Sequence, residues 1–138
     1  MKLVPISRER KAVEILYRLL GERTPEESVN HREMPSMQDH AKFVRSNPYQ
    51  CWYLVEVDKS YVGCVYITRN RELGVSIFKT CRQQGYAVAA LKMLMDKWPG
   101  HFDANINPQN EKSIRLFEKL GFALHQVVYR RQREVPEC

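Results

Sequence analysis

Apolar residues fall in two rhythms along the chain. Leu73, Val75 and Ile77 alternate with polar or small neighbours, so Glu72–Phe78 predicts a half-buried strand. Immediately after it, Ala87, Leu91, Leu94 and Trp98 recur at helical spacing, with Val88 and Met95 widening the stripe, and Pro99-Gly100 ends that helix. Upstream, Val13, Leu16 and Leu20 with Ala12, Ile15 and Leu19 predict a helix over Arg10–Gly21, stopped at the glycine. Met1–Ser7 reads as an opening strand. Thr24–Pro35 is polar and carries two prolines, which makes it a loop. Ser36 suits the N-cap of a short helix through Ala41, Phe43 and Val44 that ends at Asn47-Pro48. Cys51–Val57 and Tyr61–Thr68 are β-rich runs joined across Asp58-Lys59-Ser60, hence a hairpin. Phe102–Ile106 predicts a further strand, Pro108 precedes a last helix, and Leu124–Arg131 predicts a closing strand.

Composition narrows the class without naming it. The chain has 138 residues, 43% of them hydrophobic and 28% charged, and is expected to form one domain over 1–138. No apolar run is long enough to span a bilayer, and no signal-like stretch opens the chain, so no membrane partner is expected. Cys51, Cys64, Cys81 and Cys138 lie far apart with no C-x-x-C spacing, which argues against a metal site or a disulfide framework. A reduced, cytoplasmic setting is the expectation. The net charge of +6 points to acidic partners, such as nucleic acid or a ligand carrying phosphates. Nucleic acid is not favoured, because no basic groove interleaved with aromatics is visible.

Between the strand at 72–78 and its helix lies Arg82-Gln83-Gln84-Gly85-Tyr86-Ala87. The start of a helix carries unpaired N–H groups and the positive end of the dipole. Gly85 and the small Ala87 let a bulky anion approach those groups, and Arg82 adds charge: a phosphate cradle of the strand–turn–helix kind. It is not a dinucleotide fingerprint, since G-x-G-x-x-G is absent, and no Gly-Lys-Ser/Thr makes it a Walker loop. Arg82-x-x-Gly85-x-Ala87 resembles the acetyl-CoA loop of the GNAT N-acetyltransferase superfamily, Q/R-x-x-G-x-G/A. Asn110-Glu-Lys-Ser113-Ile-Arg-Leu-Phe117-Glu-Lys-Leu-Gly-Phe122 resembles that superfamily's N-x-x-[AS]-x-x-L-Y-x-K-x-G-F helix, in the branch that acetylates ribosomal-protein N-termini and nucleotide-activated amino-sugars. The resemblance covers Leu54–Tyr129 well and the first fifty residues loosely.

That resemblance implies an α/β (α+β) GNAT fold, with a central mixed, mostly antiparallel sheet flanked by helices. It further implies central strands that splay apart to admit the acetyl-pantetheine arm, Phe102–Ile106 being the second of the pair. Acetyl-CoA is then the co-substrate, held by Val75, Ile77, Arg82, Gln83, Gln84, Gly85, Tyr86, Ala87, Val88, Asn107, Asn110, Ser113 and Phe117. A primary amine attacks the thioester directly in a ternary complex, so the site needs a base, an oxyanion donor and an acid. Glu72 is the candidate base, with His40 and His31 as competitors. The oxyanion donor is a backbone N–H near Val75 or Ser76. Phe117 stands where many members carry tyrosine and has no proton to give. Ser113 is the candidate acid, with Tyr86 and Tyr129 in reserve; its other reading is a small residue that lets the helix pack. Asn110 holds the CoA arm, caps its helix, or both. Arg32 and His40 are candidate acceptor contacts. The acceptor is expected to be small or nucleotide-linked, such as an amino-sugar or a modified nucleoside. A protein N-terminus and a non-catalytic CoA-binding module are the alternatives, and either a monomer or a homodimer is compatible.

Overall fold

The computed structural model describes residues 1–24, 27 and 33–132. Four strands, β1 (Lys2–Pro5), β2 (Cys51–Val57), β3 (Ser60–Ile67) and β4 (Leu73–Ile77), form one antiparallel sheet in the order β1-β2-β3-β4. The hairpin turn falls at Asp58 and Lys59, both with positive φ (49° and 66°). Such a turn matches the twist of the strands it joins. Helices α1 (Ala12–Gly21) and α2 (Met37–Arg45) precede β2, α3 (Tyr86–Lys97) follows β4, and α4 (Glu111–Lys119) is the last helix among the described residues. The Ser36 hydroxyl accepts from the Asp39 N–H at 3.1 Å, which is the N-cap expected of α2.

The sheet is buried on both faces, so β2 and β3 are apolar nearly throughout. One face packs Tyr53, Val55, Val65, Ile67 and Leu73 against Ala90, Leu91 and Leu94 of α3 and Phe117 of α4. The other packs Leu54, Cys64 and Phe78 against Ala12, Leu16 and Leu19 of α1 and Val44 of α2. Leu91 and Leu94 are fully enclosed. Each contributes about 2 kcal/mol by the area it removes from water.

Two predicted strands are absent, and both for want of a partner. Phe102–Ile106 meets β4 only at one parallel bridge, Glu72 with Asp103. There the Leu73 N–H donates to the Asp103 carbonyl at 2.7 Å and the Asp103 N–H to the Arg71 carbonyl at 3.0 Å. Beyond that bridge the two segments form no ladder, so the outer edge of β4 is open; the second strand of the expected splayed pair is not formed. Arg71 fixes the start of the opening. Its guanidinium donates to the carbonyls of Pro99 (2.6 Å) and His101 (3.1 Å) and lies over the Phe102 ring at 4.6 Å. The Leu124–Arg131 segment, predicted as a strand, has no regular structure; Leu124 and Tyr129 are 87% and 94% exposed. An alternating sequence selects a face, but only a neighbouring edge makes it a strand. α1 ends at Gly21, as expected; this glycine is the last helical residue, and Glu22 caps the end in a right-handed conformation.

Candidate active site

The β3–β4 register decides which backbone groups face the opening. Tyr66 pairs with Gly74 and Cys64 with Ser76. The Thr68 N–H donates to the Glu72 carbonyl (2.8 Å) and the Phe78 N–H to the Val62 carbonyl (2.9 Å). The even-numbered residues of β4 therefore bond to β3, and the odd-numbered ones point their N–H and C=O the other way. Leu73 confirms the phase by bonding Asp103. Of the two backbone donors proposed from sequence, the Val75 N–H faces the opening, whereas the Ser76 N–H belongs to the ladder. Ile77 also points outward, and its carbonyl accepts from Arg82 Nε at 3.1 Å; its side chain is buried.

After β4 the chain makes a single helical turn at Lys79–Cys81 and then enters α3 through Gly85, whose φ is +78°. A side chain in that left-handed conformation is strained, which accounts for the glycine. A Cβ built there would meet nothing within 4 Å. The space around that Cβ position is therefore clear of protein. No side chain caps α3, so its first-turn N–H groups at Tyr86, Ala87 and Val88 remain directed into that space. Beside it lies a cavity of about 490 Å³ lined by Lys79, Arg82, Gln83 and Lys112. Three cations, one of them from α4, thus line a cavity close in sequence to an uncapped helix start. Arg82 is less free than the sequence suggests: it forms an ion pair with Glu27 at 3.2 Å. Tyr86 bonds Gln84 Oε1 through its hydroxyl at 3.1 Å, which holds both on the turn.

The second motif forms the opposite wall. Asn110 Oδ1 accepts from the Ser113 N–H at 3.2 Å and caps α4. This leaves its amide NH₂ to donate elsewhere. Ser113 is half-buried, and its hydroxyl has no partner among the described residues. Asn107 shapes the turn before it, accepting from the Gln109 N–H at 2.9 Å. Phe117, expected beside the cofactor, is instead in the core at 5% exposure, edge-on to Phe122 at 5.2 Å. The position where the resemblance led to an expected tyrosine is here a packed phenylalanine.

Glu72 opens β4 at the bridge. Its backbone is fixed on both sides, its N–H donating to Thr68 Oγ1 at 3.0 Å. Its carboxylate has no hydrogen-bond or ion-pair partner among the described residues, and it is half-buried. His40 takes a different place from the one expected. It is buried at 4% exposure, its Nε2 lies 3.0 Å from the Val13 carbonyl, and the Tyr17 ring closes over it at 5.0 Å. A ring so enclosed joins α1 to α2 and reaches neither an amine nor a thioester. His31 and Arg32 lie outside the described residues. Tyr129 is solvent-exposed. Sequence reasoning missed Lys79 and Lys112. A cation just after a strand and one in a helix's first turn reveal a shared cavity only once the helices are placed.

No helix of the described residues is long and apolar enough to cross a membrane. No curated protein matches the chain by sequence. Several solved structures share its fold at low identity. A spermidine N-acetyltransferase chimera from Vibrio cholerae and hSSAT is 16% identical, with a TM-score of 0.72 over 91% of this chain and 84% of that one. A ribosomal-protein-alanine N-acetyltransferase from Brucella melitensis is 15% identical, with a TM-score of 0.70 over 88% and 83%. AAC(6′)-Iy, in complex with the bisubstrate analog CoA-S-monomethyl-acetylneamine, is 17% identical, with a TM-score of 0.62 over 90% and 93%. The family model described as acetyltransferase (GNAT) domain matches residues 2–123. With both motifs and the open β4 edge in place, the chain belongs to the GNAT acetyltransferase family.

Proposed function

We propose that this chain is a single-domain, acetyl-CoA-dependent N-acetyltransferase that acetylates a primary amine in a ternary complex, the acceptor being small or nucleotide-linked. The observation that carries the reading is the cation-lined cavity at the uncapped start of α3, adjoining an open β4 edge with an outward N–H. The residues fit the co-substrate. The first-turn N–H groups of α3 with Lys79, Arg82 and Lys112 would hold its phosphates. The Val75 and Ile77 backbone would hold the arm along the open β4 edge, with the spare amide of Asn110 as a further donor. Bound acetyl-CoA supplies an activated thioester.

The chain's own groups perform the rest. Glu72 accepts a proton from the ammonium or amine nitrogen, directly or through one water, and frees its lone pair. The Val75 N–H donates to the carbonyl oxygen as charge gathers on it. As the new C–N bond forms and the C–S bond breaks, the Ser113 hydroxyl gives a proton to the departing sulfur and regains one, through solvent, from the acylated nitrogen, while the proton taken by Glu72 passes to solvent. The amide and the free thiol are the products, and atoms balance without another reactant.

One observation favours a second reading, a CoA-binding module without turnover: Phe117 is buried and carries no proton. Calorimetric titration with acetyl-CoA tests what both readings share. Binding is expected, and Lys112→Glu weakens it by reversing one charge in the cavity. No binding, or binding indifferent to Lys112→Glu, overturns the site assignment.

A further inference from the structure

Gly74, in the middle of β4, lacks a side chain where another residue's ring already lies. A Cβ built there would stand 2.0 Å from Tyr66 Cζ and within 2.5 Å of both Cε atoms. Tyr66 is paired directly with Gly74, so its ring lies down across β4 with the hydroxyl end foremost. The alternation of the strand puts that hydroxyl on the face shared by Glu72 and Ser76, one residue from the outward Val75 N–H. The ring is locked there. Tyr49 stacks on it at 4.3 Å with 6° between the planes, and Trp52 meets it edge-on at 6.0 Å.

The same face carries a cation with no counter-ion among the described residues. Arg23, two residues after α1, stands against the Tyr66 hydroxyl, with Cys64 and Tyr49 nearby. Burial lowers the affinity of its guanidinium for the proton, and the oxygens of Tyr66 beside it more than restore it, so the net shift is upward. No carboxylate pairs with it among the described residues. Arg23 as a residue keeps its solvent access, although its guanidinium packs beside Tyr66, Cys64 and Tyr49. The acceptor face therefore presents a carboxylate at Glu72 with no partner among the described residues and, across the Tyr66 ring, a guanidinium beside a phenol whose oxygen accepts from it and whose O–H is available to a ligand.

Building on the acetyl-transfer reading, we propose that Tyr66 and Arg23 form an anion subsite for the acceptor, so that the amine acetylated here also carries an oxyanion, a carboxylate or a phosphate. The ammonium end lies toward Glu72 and the oxyanion end toward Arg23, whose planar fork takes two oxygens at once. A polyamine brings only cations to this face and is repelled by Arg23.

Matched amines test the proposal by thiol release from acetyl-CoA: propylamine against β-alanine, ethanolamine against phosphoethanolamine, and spermidine. The anionic member of a pair should have the higher kcat/KM by roughly tenfold or more, as a charge-assisted contact gives. Whether β-alanine or phosphoethanolamine gains more separates carboxylate from phosphate. Arg23→Gln should raise KM for the anionic amines at least about tenfold more than for the neutral ones, with Arg23→Lys recovering part of the difference. Tyr66→Phe keeps the ring over Gly74 and should shift KM in the same direction. Turnover of neutral amines or spermidine as fast as anionic ones overturns this proposal alone, as does an Arg23→Gln loss equal for all amines. No release with any amine overturns the acetyl-transfer reading and this proposal with it.

Discussion

Gly85 is the position where conformation and ligand binding can be pulled apart. Its φ of +78° costs a substituted L-residue about 1–2 kcal/mol, while the empty space around its Cβ position adds no clash. Gly85→Ala should therefore lower stability by about 1 kcal/mol, a melting shift of a few degrees (roughly 3–5 °C for a domain of this size). Gly85→Asn should lose less, because asparagine tolerates the left-handed region. Gly85→Glu pays the same backbone strain but also sets a carboxylate against the anion that α3 is proposed to receive. At about 5 Å and an effective dielectric between about 20 and 80, one such charge pair repels by roughly 1–3 kcal/mol, or about 5- to 200-fold in Kd. Thermal unfolding followed by circular dichroism gives the first quantity and calorimetry with acetyl-CoA the second. Gly85→Glu should melt close to Gly85→Ala yet bind far more weakly. If a folded Gly85→Glu protein binds acetyl-CoA like Gly85→Ala, the phosphates do not lie at the start of α3.

Three further outcomes follow from particular contacts. Glu72→Gln should lower kcat by roughly 10²–10⁴ and remove the limb of the pH–rate profile along which activity rises with pH; a profile of unchanged shape would dismiss Glu72 as the base. His40→Phe should lower stability by about 1–3 kcal/mol by leaving the Val13 carbonyl unpaired, with kcat little changed, whereas a selective loss of kcat would return His40 to the reaction. Cys64 is enclosed, and burial raises its thiol from 9.0 to about 11 against the smaller opposing pull of the Trp52 N–H and Arg23. Folding favours the protonated thiol, so this contribution is intact below pH 9.0 and is lost as pH rises through about 11. Denaturant unfolding of wild type and Cys64→Ala should show their difference in stability shrinking by about 1.4 kcal/mol per unit across that window, and a constant difference would contradict it.

The parts of this fold that were legible in the sequence are those whose cause is local. The Ser36 cap, the hairpin at Asp58-Lys59 and the glycine entry to α3 each need only a few neighbouring residues, and each stands where expected. The two absent strands depended on a partner edge that no local pattern specifies. His40 shows the same limit from the other side. A histidine in a short polar helix has the composition of a site residue, and only the packing of α1 reveals that Val13 and Tyr17 already occupy its ring. Phe117 was recognisable as a departure from the family motif, but its place in the core came from α4 lying against the same sheet face as α3. The Tyr66–Gly74 notch was out of reach of sequence reading, since it depends on the register between two strands.

The most direct test of the account is amine-dependent release of the CoA thiol from acetyl-CoA by the pure protein, with the acetylated amine identified by mass. Release should require the amine, match the amide formed one for one, and fall sharply in Glu72→Gln. Tight acetyl-CoA binding with no amide from any amine, carboxylated, phosphorylated, nucleotide-linked or peptidyl, would contradict it.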